Sequence, residues 1–234
     1  MLRKTIIVTA IIVCLGGIGC ETHSQNKKLA TERWDKASSG IKLKLAQQKY
    51  ENNNLDEARE AVSECITADP NNAQAHLLYG KLLLAEDKEI DAVRELQLAV
   101  ELDEKLGEGW YWLGLATENA EESQQALSYY NKALSLSPSN IDYILAVAET
   151  YVKQEKPEEA IKLFEEKIVA MPREVPLKVA AADLMWQAGE NERALELYKQ
   201  AKLMRDDDSS IAEALGYCYI FRAGGAKGRR FLMN

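Results

Sequence analysis

Histidine is nearly absent from this 234-residue chain, which holds only His23 and His76. Cysteine is scarce as well, and Cys14, Cys20, Cys65 and Cys218 form no CxxC pair. A zinc site needs four convergent soft or imidazole ligands, so no metal is expected. Lone Cys65 falls where a helix wants a small apolar residue, and core packing is its expected role. No glycine loop suited to phosphate is present, since Gly224-Gly225 precede no Lys-Ser/Thr pair. No nucleophile, base and orienting group converge, and the scattered carboxylates read as solvated faces. The chain is therefore expected to be non-enzymatic, with no cofactor. A basic excess is also missing: the formal net charge is −8. Loss of a leader carrying Arg3 and Lys4 but no acid would take it to about −10. Such a chain repels a phosphate backbone, which argues against nucleic-acid binding. With only five prolines and thirteen glycines, long helices are permitted almost everywhere.

What is present begins with an address. Arg3 and Lys4 precede an uncharged, largely apolar run from Thr5 to Gly19, the length of a signal-peptide core and short for a membrane span. Ile18-Gly19-Cys20 resembles the end of a bacterial lipoprotein signal, although Gly17 stands where that motif usually has leucine. The resemblance implies a signal peptide over 1–19 and lipidation at Cys20. It implies a lipid anchor in a membrane of the cell envelope, inner or outer, with the body facing away from the cytoplasm. The alternative is an ordinary secreted or uncleaved leader, which also exports the body. Residues 20–38 read as a polar tether, helical from about Thr31. Its alternative reading is a separate binding motif around Trp34.

The rest of the chain repeats. Trp110-x2-Leu113-Gly114, Thr117, Ala126-x3-Tyr130, Ala133 and Pro138 resemble the tetratricopeptide pattern, with Thr117 in place of its tyrosine. Steps of 34 residues carry the small residue as Ala58, Ala92, Ala126, Ala160 and Ala194. Four residues on, Val62, Leu96, Tyr130, Phe164 and Tyr198 are large. A first-helix small position recurs as Ala46, Gly80, Gly114, Ala148, Ala182 and Gly216. Small residues let two helices approach, and large ones fill the surrounding space. The units are 39–72, 73–106, 107–140, 141–174 and 175–208, followed by a partial sixth over 209–234. The resemblance implies an all-α fold, a right-handed superhelix of about five and a half helix pairs. Lys49 and Lys167 depart from the pattern. The basic, glycine-rich tail from Arg222 is expected to be disordered.

In such repeats the first helices line a concave groove. Transferred to this chain, the groove residues are Tyr50, Leu77, Lys81, Tyr111, Leu115, Glu118, Glu149, Asp183, Trp186 and Tyr217. Leu43, Gln47, Leu84, Leu145, Lys153 and Val179 occupy neighbouring groove positions. Tyr111 and Trp186 are the expected anchors, and the acids favour a protein or peptide partner with basic residues. The expected function is a membrane-tethered interaction scaffold of the envelope. Its architecture is similar to that of type IV pilus assembly lipoproteins. A self-associating structural or regulatory protein, joined through the open sixth helix, is the alternative.

Overall fold

The structure, a computed structural model, describes the backbone of residues 2–119 and 123–232. Side chains are described for 23, 25–31, 33–118 and 124–222. All regular structure there is helical: α1 (Leu2–Glu51), α2 (Leu55–Ala68), α3 (Ala73–Ala85), α4 (Glu89–Leu102), α5 (Gly107–Asn119), α6 (Ser123–Leu136), α7 (Ile141–Lys153), α8 (Pro157–Ala170), α9 (Val175–Gln187), α10 (Asn191–Met204) and α11 (Ser209–Leu232). The chain divides into two compact units, Met1–Asp103 and Glu104–Asn234. In the first, α1 packs on α2, α2 on α3, and α3 on α4. In the second, consecutive helices pack in the same way from α5 to α11.

Four of the helix pairs, α1–α2, α3–α4, α7–α8 and α9–α10, turn through the same local device. Asn53, Asp87, Glu155 and Gly189 have positive φ, and they are spaced at multiples of 34 residues. At each, the N–H donates three residues back, and the next N–H donates five back. Asp87 N–H reaches Leu84 O at 3.2 Å, and Lys88 N–H reaches Leu83 O at 3.0 Å. These are Schellman closures, in which a left-handed residue lets the helix's last carbonyls find donors. Gly189 adopts this conformation without the steric cost that Glu155 bears. The following helices start on matching signals. Asn72 and Asn140 cap α3 and α7 by accepting from Ala75 N–H and Tyr143 N–H, and Pro157 opens α8.

The repeat positions form the core. Ala58, Ala92, Ala126, Ala160 and Ala194 are fully buried, as are, within a few per cent, Val62, Leu96, Tyr130, Phe164 and Tyr198. A Cβ placed on Gly80 would lie 2.5 Å from Leu96 Cγ, and one on Gly114 2.6 Å from Tyr130 Cε1. Glycine is thus required where the large residue of the second helix rests directly on the first. Burying a side chain such as Phe164 is worth about 2–3 kcal/mol. Cys65 is buried as expected. Its thiol lies 3.0 Å from Ser39 Oγ, while Asn72 Nδ2 donates to the same Oγ at 3.2 Å. Lys167, in a position that is usually small, turns its Nζ outward to donate to Pro138 O at 2.9 Å. His76 is buried between Glu95 and Pro70 O, at 2.7 and 3.0 Å, a structural arrangement.

Two expectations about helix extent are corrected. Helix begins at Leu2 rather than near Thr31, because no proline and no cap signal interrupts the chain before Glu51. The tail continues α11 to Leu232, since no proline follows Pro176 and the basic residues are good helix formers. The side chain of Cys20 lies outside the described residues. Among the described residues, no helix is long and apolar enough to cross a membrane.

Candidate functional site

Within the second unit, α7 and α9 are successive first helices and touch each other. A groove of about 390 Å³ lies along them. Leu145, Ala148, Glu149, Val152 and Lys153 come from α7, and Ala180, Asp183, Leu184 and Gln187 from α9. Phe164 of α8 completes the wall. Helical spacing sets this order, because residues three or four apart share a face. The groove therefore has apolar walls with two carboxylates and one ammonium at its edge.

The carboxylates differ in how they are held. Tyr198, on the second helix of the fifth repeat, donates its hydroxyl to Asp183. Tyr130, at the same place in the third repeat, donates to Glu118 at 3.0 Å. The fourth repeat has Phe164 there, which has no hydroxyl to offer. Glu149 is exposed and makes no hydrogen bond or ion pair among the described residues. Lys153 reaches Glu118 at 2.9 Å, and the side chain of Glu118 is only 15% exposed. The local field is negative. Burial, then Asp142, Glu149 and Glu118, push the Tyr111 phenol above its ordinary range.

The structure gathers part of the expected set in one groove of the second unit. Glu149 and Asp183 line one groove with Leu145 and Lys153. Tyr111 is instead half-buried in an aromatic cluster, its ring centroid 5.2 Å from that of Tyr143 and 5.7 Å from that of Tyr130. Trp186 packs edge-on against Phe221 of α11 at 5.2 Å. It lines a separate cavity of about 220 Å³ with Leu195 and Cys218. Tyr217 is exposed on α11, and Leu115 is half-buried on α5. Tyr50, Leu77 and Lys81 belong to the first unit. Leu77 is only 2% exposed, so it joins the packed interior and offers a partner almost no surface, correcting its expected place in the groove. Sequence reasoning missed Val152, Phe164, Ala180, Leu184 and Gln187 as groove residues. Val152 and Gln187 stand next to register positions that were used, and the Phe-for-Tyr exchange at 164 was the readable signal for a free Glu149. Among the described residues, no cluster of ligands suits a metal ion.

Three family models described as tetratricopeptide repeats match residues 43–106, 107–140 and 152–216. Together they account for well over half of the chain. This is a tetratricopeptide-repeat protein. Its fold is similar to that of PilF from Pseudomonas aeruginosa, at a TM-score of 0.67 and 16% identity, covering 82% of this chain and 89% of that one. It is also similar to YrrB, described as a TPR protein with an unusual peptide-binding site, at 0.57 and 18%, covering 74% and 89%. Identities this low speak for the fold alone. Over 87 residues the chain is 32% identical to human protein O-mannosyl-transferase TMTC3. That stretch is 37% of this chain and 10% of the relative's length. The tetratricopeptide solenoid is the fold of a protein-interaction scaffold, generally without catalysis.

Proposed function

We propose that this chain is a membrane-tethered scaffold of the bacterial cell envelope. It holds a peptide or helix with basic residues in the groove between α7 and α9. The observation that carries the reading is the exposed, unpaired Glu149 beside Asp183 on an apolar-walled groove. A segment pairing apolar side chains with lysine or arginine would bury the former against Leu145 and Val152, over the packed floor of Phe164 and Leu184, and set the latter beside the carboxylates. The leader ending in Ile18-Gly19-Cys20 supports the tether. Assembly of a pilus or another envelope complex is the process that this architecture fits.

The test is selection of a random-peptide library on the full chain. Enriched peptides should combine basic and apolar residues, and Glu149→Lys should weaken them by about tenfold, or roughly 1.4 kcal/mol. Acidic winners, or binding indifferent to that reversal, would refute the groove reading.

A further inference from the structure

The sixth first helix, α11, keeps its inner face open. At the eleventh position Leu83, Thr117 and Met185 of the second, third and fifth repeats are at most 5% exposed, while Lys49 and Tyr151 of the first and fourth are partly exposed. The corresponding Tyr219 is 49% exposed. A Cβ on Gly216 would meet nothing within 4 Å, whereas those on Gly80 and Gly114 would strike Leu96 and Tyr130. The residues after Arg222 do not turn back as a second helix but extend α11 to Leu232. The place that takes a large side chain in the second and third repeats is open here, and among the described residues nothing fills it.

The chain also carries a matching knob elsewhere. Second helices read Ala-x3-large-x2-small, as in Ala126, Tyr130 and Ala133. The α1 segment before the first repeat reads Ala30, Trp34 and Ala37 at the same spacing. All three are exposed, Trp34 at 73%. This spacing puts them on one helical face. Charges agree as well. Residues 27–36 hold Lys27, Lys28, Arg33 and Lys36 against Glu32 and Asp35, while Asp206, Asp207, Asp208 and Glu213 stand at the start of α11. With Trp34 over Gly216, antiparallel docking brings Lys36 level with Glu213, while Asp206 and Asp208 keep Lys202 and Arg205 of their own chain as partners.

We propose that the α1 segment around Trp34 of a second copy docks on α11 as the missing second helix, with Trp34 seated over Gly216. The contact is head-to-tail, so each copy offers one knob and one socket, and it propagates into rings or chains. It is independent of the α7–α9 groove.

Light scattering on the full chain in mild detergent tests this. The natural protein should associate reversibly with concentration, to at least twice the mass of one chain. Trp34→Ser, which loses the knob, and Gly216→Leu, which blocks the socket, should each be monomeric with unchanged helical content. Mixed in equal amounts, the two variants should form a dimer and nothing larger, since one intact knob meets one intact socket. Tyr219→Lys serves as a second blocked socket should Gly216→Leu misfold. A monomeric natural protein, variants that still associate, or a mixture that stays monomeric would each overturn the proposal. Association that both variants retain would point to another surface.

Discussion

Replacing Gly114 by alanine sets two opposing effects against each other. Alanine in a helix interior is favoured over glycine by about 0.5–1 kcal/mol. The new Cβ, however, would lie 2.6 and 2.7 Å from Tyr130 Cε1 and Cδ1, distances that force something to shift. Tyr130 has little room. Its ring packs 5.7 Å from Tyr111, and its hydroxyl is bonded to Glu118. Overpacking of this kind costs typically ~1–3 kcal/mol, so Gly114→Ala should be net destabilising by roughly 1–2 kcal/mol. Gly216→Ala meets nothing, and should gain up to about 1 kcal/mol through propensity alone. Urea unfolding followed by far-ultraviolet circular dichroism reads both. Equal stability of Gly114→Ala and the natural protein, or a loss in Gly216→Ala, would refute the packing argument.

Burial, aided by Glu118 and Asp183, holds the phenols of Tyr130 and Tyr198 well above their ordinary value of 10.0. A raised phenol contributes stability that is complete below the unfolded value and lost as pH rises beyond it. The melting temperature should therefore fall above about pH 10, and Tyr130→Phe with Tyr198→Phe should flatten that fall while costing about 1 kcal/mol per lost hydrogen bond at neutral pH. An unchanged alkaline slope in the double variant would contradict the assignment. Cys20→Ser should abolish acyl labelling and maturation in a bacterial host, and persistent labelling would remove the lipid anchor from the account.

Much of the fold was legible because one spacing controls several physical requirements. The 34-residue step that places Ala126 and Tyr130 also places the left-handed turns at Asn53, Asp87, Glu155 and Gly189. Lys167 was visible as a departure, but only the structure shows it escaping to Pro138 O. Helix extent was less legible at both ends. A glycine-rich composition suggests disorder, yet without proline it does not forbid the continuous α11. The shared lining by Glu149 and Asp183 was legible, since they hold one first-helix position 34 residues apart and α7 and α9 touch. The reading failed for Leu77, because its position is open or closed according to how tightly neighbouring helices pack. It failed for Trp186 because its ring finds Phe221 on α11, a contact set by the incomplete repeat and not by the register.

Site-specific photocrosslinking tests the central claim most directly. A benzophenone amino acid at Val152, which lines the α7–α9 groove and is partly exposed, is compared with one at Val169, which is 83% exposed on α8 outside it. The account predicts that a bound basic peptide, or the native partner in envelope membranes, forms an adduct from position 152 and none from 169, with Glu149→Lys suppressing it. Adducts of equal yield from both positions, or from 169 alone, would contradict it.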